Sequence, residues 1–559
     1  MTCFLGLDFG TESVRAVLVG TRGESIASAV APYKHGQIVP GAGAIPEPLR
    51  THKLPPHFAL QHPGDWIESA AAACRSALGD RDPAEVAGIG VDFTSCTMLP
   101  CRADGSPLCA PQGVSWRAGF SALAHDPHAW PKLWKHHGAI TQTEKLNRAA
   151  KARHEQWLSR YGGIIGLEWL WPKMLEIVES SDAVAREAEL YLEAGDWFVW
   201  QLIGAPSAGG RVSDIALPRS TCQAGYKGLW SATQGWPSLD YLTSVDPRLA
   251  EIAMRKLPGA FIPPGRCAGE LCESIAREFG LRAGTPVSAA VIDAHAGVPG
   301  AGVGEAGTLV MVMGTSGCHM LLSKAEREVP GVAGVVKDGI LPGFFGYETG
   351  QAAMGDSFDF VRRLTGQADF KQLDAAATTI APGCDGITCL DWFNGCRTPL
   401  MDGSLKGLFS GLRLDHGAPH LYRAALEASA FGLKWIVETL RHGGVPVTRF
   451  VATGGLPTHN PLFVHIVADT LEQPIVIHAA AHGPALGAAI LGACAAGSSR
   501  GGFDDIATAV RRMAGDESTL PKPTTIAPQS ANAGALAEAY TRYRELAREQ
   551  SRRASVIAA

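Results

Sequence analysis

The sequence predicts an α/β protein built as two similar halves that face each other across a central cleft. Three observations carry this reading. The chain has 559 residues, too many for one hydrophobic core, so two large domains are expected. Near the N-terminus, Leu5–Val19 (LGLDFGTESVRAVLV) reads as a β-hairpin with a tight polar tip. Far along the chain, Thr308–Leu322 (TLVMVMGTSGCHMLL) repeats the pattern, with an apolar strand, a Gly-Thr tip and a returning strand.

The first tip is Gly10-Thr11-Glu12-Ser13. A glycine there lets backbone N–H groups come close to an anion, and Thr11 and Ser13 add hydroxyl donors. Asp8, at the end of the incoming strand, is placed to hold a water-coordinated Mg²⁺ beside phosphate oxygens. The second tip, Gly314-Thr315-Ser316-Gly317, has no acidic residue before its glycine, so the metal ligand falls to the first half. A nucleoside triphosphate between the two hairpins would be cradled from both sides.

Composition narrows the function class. Hydrophobic residues make up 46% and charged residues 18%, as in ordinary globular proteins. A net charge of -5 gives no electrostatic reason for nucleic-acid binding. No apolar run reaches membrane-spanning length, and no basic stretch followed by an apolar one marks a signal peptide. The thirteen cysteines read as reduced core residues in a reducing, cytoplasmic compartment. No C-x-x-C occurs, which speaks against structural zinc. His125, His128, His136 and His137 are read as solvated imidazoles on a surface loop and helix.

Along the chain, Gly36–Gln61 is rich in Pro, Gly and His and reads as a long loop. Asp65–Leu78 reads as a helix, and Val86–Val91 as a buried strand ending at Asp92-Phe93-Thr94-Ser95-Cys96. Polar residues at such strand ends commonly face a ligand crevice. Trp130–His137 and Trp157–Trp171 are unusually rich in tryptophan. Glu187–Leu202 reads as one helix, and Arg266–Gly280 passes through another to the buried strand Pro286–Ile292, which ends at Asp293. The boundary between the halves is placed near residue 300, giving units 1–298 and 299–520. The second half continues with a strand-turn at Phe345–Glu348, a helix Leu421–Leu440, a strand Arg449–Ala452, a helix Pro461–Leu471 and an Ala/Gly-rich core helix within Pro484–Gly497. Residues 521–559 read as a Pro-rich linker and a charged helix, Leu536–Arg552, with a solvated face.

Several motifs bear on chemistry. No G-x-x-x-x-G-K-[ST] occurs, so the chain is not a P-loop NTPase. Gly302–Gly307 matches G-x-G-x-x-G but follows a helix and precedes a strand, the wrong order for a dinucleotide fold, and is read as a loop. Gly454 and Gly455 follow a strand and precede a helix. Paired glycines there leave room for a base and ribose against the backbone, and Asn460 could hydrogen-bond either. Asp293 fits a general base for a hydroxyl attacking a γ-phosphoryl group, and equally fits a helix-capping aspartate.

Together these segments resemble the FGGY carbohydrate kinases, of the actin/hexokinase/heat-shock-70 fold group. The resemblance covers nearly the whole chain. It rests on the Asp8–Ser13 hairpin, the Asp293 segment, the Gly314–Ser316 turn, the Gly454–Gly455 turn and the glycine-rich helix Gly483–Gly487. Longer matching strings are Gly90–Pro100 (GVDFTSCTMLP), Lys132–His137 (KLWKHH), Leu192–Trp197 (LEAGDW), Ala224–Lys227 (AGYK), Val291–His295 (VIDAH), Met313–Met320 (MGTSGCHM) and Gly346–Gln351 (GYETGQ). The resemblance implies two ribonuclease-H-like domains around a cleft. It implies ATP and Mg²⁺, with phosphates held by Gly10, Thr11, Glu12, Ser13, Gly314, Thr315 and Ser316, adenosine by Gly454, Gly455 and Asn460, and Mg²⁺ by Asp8 through water. Asp293 would be the catalytic base, and Ser95, Trp134, Lys227 and Glu348 would line a ketopentose pocket. The implied reaction is phosphorylation of L-ribulose to L-ribulose 5-phosphate in L-arabinose breakdown, by a cytoplasmic homodimer. Ser95 departs from the pattern, which carries alanine there. D-ribulose, ribitol or xylulose are the alternatives within the class. An actin- or chaperone-like nucleotide-driven binding protein is the alternative outside it.

Overall fold

The computed structural model describes every residue except 52, 113–118, 205–216, 479–481, 516–519, 521 and 559, and the side chains of 553–558. Two seven-stranded sheets form its frame. The first contains β1 (Cys3–Phe9), β2 (Ser13–Gly20), β3 (Ser25–Pro32), β4 (Val86–Phe93), β5 (Cys267–Glu270), β6 (Pro286–Ser288) and β7 (Val291–Ile292). Its order is β3-β2-β1-β4-β6-β5, with β7 beside β4. β1, β2 and β3 run antiparallel, whereas β4 joins β1 in parallel.

The second sheet repeats this plan. It contains β8 (Thr308–Met313), β9 (Gly317–Ser323), β10 (Gly334–Lys337), β11 (Phe345–Gln351), β12 (Arg449–Thr453), β13 (Ile475–Ile477) and β14 (Thr524–Ile526), in the order β10-β11-β9-β8-β12-β13-β14. β8 and β9 form the second hairpin, and β12 lies parallel to β8 as β4 does to β1.

The helices that matter here are α1 (Pro63–Leu78), α2 (Leu170–Ser180), α3 (Ala194–Ile203), α4 (Thr221–Lys227), α5 (Asp293–Gly300), α6 (Ala418–His442), α7 (Gly455–His459), α8 (Pro461–Leu471), α9 (Gly483–Ala496) and α10 (Ser530–Ala558). α9 is apolar on every side because it is enclosed on every side. Its carbonyls press against glycines of the first sheet. A Cβ added to Gly6, Gly88 or Gly90 would lie 2.0, 2.3 or 1.7 Å from the carbonyl oxygens of Ala485, Gly492 and Ala488. α5 meets α9 just as closely, through Gly300 against the Gly483 carbonyl and Gly487 against that of Ala296.

The structure corrects several local expectations. Glu187–Leu202 is not one helix. Leu190–Glu193 is a strand paired with Met98–Cys101, and α3 starts only at Ala194. Leu190, Tyr191 and Leu192 are all buried there, so packing overrides helix propensity. In Arg266–Gly280 a strand, β5, precedes a shorter helix, Glu273–Phe279. Pro286–Ile292 is split into β6 and β7. Phe345–Glu348 does not turn but runs on as β11 between β9 and β10. Within 521–559, Thr524–Ile526 joins the second sheet as β14. α10 packs Leu536, Ala539, Tyr543 and Ala547 into that half's core.

His136, and in part His128, differ from the solvated reading, whereas His125 and His137 are exposed as expected. His136 is fully buried, its Nε2 2.8 Å from Glu176 Oε2, and Lys132 Nζ reaches the same oxygen at 2.9 Å. They form a buried charged network rather than a solvated face. The thirteen cysteines are all free and nine are buried, as expected of reduced core residues.

Candidate active site

The site begins at the C-terminal ends of the parallel strands of the first sheet. Asp8 on β1 and Asp92 on β4 are register partners. Val291 of β7 also pairs with Asp92, so Asp293 follows at the same edge. This is where an α/β sheet opens its crevice. Three carboxyl groups therefore gather on one edge. Arg15 bridges Asp8 at 3.1 Å. Asp92 is fully buried, and among the described residues neither of its oxygens has a hydrogen-bond partner. Burial, then the charges of Asp8 and Asp293, push its pKa well above the usual range. Asp293 opens α5 and accepts the Ala294 N–H at 2.7 Å. Burial raises its pKa to about 7, with Asp8 and Glu348 adding to the rise and Lys227 opposing it.

The first hairpin tip closes through the Gly10 N–H on the Ser13 carbonyl, 3.0 Å. Side chains fix it from outside. The Tyr33 hydroxyl donates to the Gly10 carbonyl and Gln61 Nε2 to the Thr11 carbonyl. The Trp134 indole N–H donates to the Thr11 hydroxyl at 3.0 Å. Glu12 pairs with Gln37. In the second tip, the Gly314 N–H donates to Ser316, while the carbonyls of Gly314 and Thr315 accept from Gly355 and from Met354 and Asp356. Beyond the bond that closes each turn, the backbone of both tips is held from outside, and Thr11, Ser13, Thr315 and Ser316 stay at least partly exposed.

Gly454 stands against the second tip. Its φ is +101°, and a Cβ there would lie 2.5 Å from the Met313 carbonyl oxygen, so glycine is required on both counts. Gly454 and Gly455 are exposed. Asn460 is not. Its Oδ1 caps α8 by accepting the Phe463 N–H, and its amide donates to Asp374 and the Tyr422 hydroxyl. Its hydrogen-bonding capacity is spent inside the fold.

The residues expected to line a sugar site come from both halves. Lys227 ends α4, Glu348 lies on β11 of the second sheet, and Lys227 Nζ contacts both Glu348 oxygens, at 2.8 and 3.0 Å. His295 Nε2 lies 3.4 Å from Glu348 Oε2. Burial alone would raise the Glu348 pKa, but Lys227 and His295 hold it well below the usual carboxylate range. Trp134 is 40% exposed, an open indole face beside the first tip. Among the described residues the Ser95 hydroxyl has no hydrogen-bond partner, and the next residue, Cys96, has φ +51°.

The structure thus gathers Asp8, Asp293, Lys227 and Glu348 into one electrostatically coupled group, links Trp134 to the first tip and sets Gly454 on the second. Asn460 is drawn into the core instead. Asp92 and His295 were not among the residues expected to act. The strand-end position of Asp92 was the available signal, but nothing in the string distinguished it from a capping aspartate.

This frame, two sheets that each carry an antiparallel Gly-Thr hairpin continued by parallel strands, is the two-domain fold of the actin/hexokinase group. The sequence profile described as the FGGY family of carbohydrate kinases, C-terminal domain, matches residues 309–496. A ribulokinase of Anoxybacillus flavithermus is 41% identical over 539 residues, 94% of this chain and 91% of that protein. A ribulokinase of Mycolicibacterium smegmatis is 37% identical, over 91% of this chain and 88% of that one. Among solved structures, a xylulose kinase from Rhodospirillum rubrum superimposes with a TM-score of 0.77 at 23% identity, covering 97% and 98% of the two chains. Plasmodium falciparum glycerol kinase with ADP gives 0.75 at 13% identity, covering 98% of each. These two likenesses speak for the fold alone.

The chain belongs to the FGGY family of carbohydrate kinases. It is a sugar kinase, an ATP phosphotransferase, and the binding-protein alternative falls away.

Proposed function

We propose that the protein transfers the γ-phosphoryl group of ATP to the terminal hydroxyl of L-ribulose, giving L-ribulose 5-phosphate and ADP. The observation that carries this reading is near-full-length identity of about two residues in five with ribulokinases, over a chain in which Lys227, Glu348 and Asp293 act on one another. Asp293 takes the hydroxyl proton as the sugar oxygen attacks phosphorus in line and the bond to ADP breaks. A pKa near 7 suits a base working at neutral pH. Lys227 donates to sugar oxygens and Glu348 accepts from sugar hydroxyls, each keeping lone pairs or protons beyond their mutual bond. Trp134 offers its indole face to the C–H side of the sugar. The backbone and hydroxyls of Gly10–Ser13 and Gly314–Ser316 hold the phosphates, and Gly454–Gly455 the adenosine.

Asp8, with Asp92 behind it, presents oxygen donors that fit a hydrated Mg²⁺. Bound with ATP, the ion would neutralise charge on the β- and γ-phosphate oxygens. The same reading places the enzyme in L-arabinose breakdown, in the cytoplasm, as a homodimer. Among the described residues no helix is long and apolar enough to cross a membrane.

A second reading, a kinase for D-ribulose, a xylulose or ribitol, is favoured by the unpartnered Ser95 hydroxyl, which offers a hydrogen bond that alanine would not. An ADP-coupled assay over L-ribulose, D-ribulose, both xyluloses, ribitol, L-arabinose and glycerol decides. Preference for L-ribulose supports the first reading. Preference for another sugar moves the substrate and leaves the catalytic assignment standing.

A further inference from the structure

The tryptophan-rich segment that ends at Trp171 takes no part in the chemistry above, yet it and the residues just after it reach the loops that carry Ser95, Trp134 and Lys227. It leads into the first turn of α2. Trp169, which caps that turn, places its ring under Lys227, with Nζ 5.5 Å from the ring centroid. Trp171 is fully buried, and its indole N–H donates to the Gly228 carbonyl at 2.6 Å, one residue beyond Lys227. Lys173 is also fully buried. Its ε-amino group donates to the Cys96 carbonyl at 2.6 Å and to the Leu133 carbonyl at 2.9 Å.

Those two carbonyls belong to the residues directly after Ser95 and directly before Trp134. One amino group therefore ties together two loops that are far apart in sequence. The first of them needs tying. Cys96 has φ +51°, which a non-glycine residue holds only when its surroundings enforce it. A buried lysine side chain is expensive to enclose, and here its amino group is spent on backbone that carries pocket residues.

We propose that Trp171 and Lys173, on the first turn of α2, are positioning residues for the sugar: Lys173 sets Ser95 and Trp134 relative to each other, and Trp171 sets the Lys227 arm. This rests on the assignment of Ser95, Trp134 and Lys227 to the sugar pocket. Among the described residues neither Trp171 nor Lys173 bonds to the phosphate turns or to the Gly454 turn, so the effect falls on sugar recognition and spares ATP.

The test is steady-state kinetics of full-length Lys173→Met and Trp171→Phe, with Trp200→Phe as control. Trp200 is another fully buried tryptophan whose indole donates to a backbone carbonyl, that of Pro218, away from these loops. The sugar used is whichever the wild-type enzyme turns over fastest. A wild-type preference for a sugar other than L-ribulose therefore corrects the substrate without disturbing this test. Expected are a tenfold or greater rise in sugar KM for K173M and a threefold or greater rise for W171F. The ATP KM stays within twofold in both, and the sugar KM of W200F also stays within twofold. If K173M does not fold, W171F decides alone. Sugar KM within twofold of wild type in the folded variants, or an equal rise in sugar and ATP KM, overturns the proposal.

Discussion

The indole N–H of Trp134 donates to the hydroxyl of Thr11 across 3.0 Å, so the side chain proposed to face the sugar is fastened to the turn proposed to receive phosphate. Such a bond is worth about 1 kcal/mol. Trp134→Phe is expected to raise the sugar KM by about fivefold and to leave the ATP KM within twofold, because Gln61 still holds the Thr11 backbone, in line with the effect expected at Lys173. Initial-rate measurements varying each substrate separately check this.

Lys227 and Glu348 meet across the two halves, buried and bidentate. Removing one partner of such a pair strands a buried charge, at about 3–5 kcal/mol. Glu348→Gln and Lys227→Met should each lower stability by an amount of that order and abolish sugar-dependent turnover. The double variant should be more stable than Lys227→Met alone, because no carboxylate is left unpaired. Denaturant titration of the three proteins measures it.

Asp293→Asn should keep the fold and ADP binding while lowering kcat about 10²–10⁴-fold. Binding by calorimetry and turnover by coupled assay separate the two effects.

Asp293 must be ionised to accept a proton, and its pKa stands at about 7. kcat/KM should therefore fall about tenfold per pH unit below pH 7 and level off above it. The sign reverses for stability. An acid whose folded pKa is raised weakens the fold as pH climbs from its unfolded value towards 7. Asp293→Asn should then match or exceed the wild-type Tm at pH 8 and lose that advantage at pH 4. A flat rate profile between pH 6 and 8 would count against Asp293 as the base.

Gly454→Ala forces a side chain into a φ of +101° and onto the Met313 carbonyl. About 1–3 kcal/mol of strain is expected, with the ATP KM raised and the sugar KM unchanged. Thermal melts and substrate titrations test both halves of that statement.

Legibility in the sequence follows a physical line. The hairpins were readable because strand alternation and a Gly-Thr tip are local signals, and the same holds for Gly454, whose φ only glycine tolerates. What was misread depends on partners distant in the chain. Leu190–Glu193 is a strand only because Met98–Cys101 lies beside it. Phe345–Gln351 continues straight because β9 and β10 flank it. Asn460 looks like a ligand in a Gly-Gly-x-x-x-x-Asn string, but Asp374 and Tyr422 claim its amide. The role of Trp169–Lys173 was invisible for the same reason, since its bonds reach three separate loops.

α9 lies against Gly6, Gly88 and Gly90 so closely that carbonyl oxygens take the place of side chains. Translation delivers the first sheet long before α9. Until then one face of that sheet presents bare glycine backbone with nothing to cover it, and no shorter N-terminal fragment can supply the cover. The nascent chain therefore cannot bank its first half as a finished unit while the second is being made. Both lobes must complete together, and premature termination before Ala496 should yield a chain that chaperones hold or proteases remove rather than a smaller folded protein.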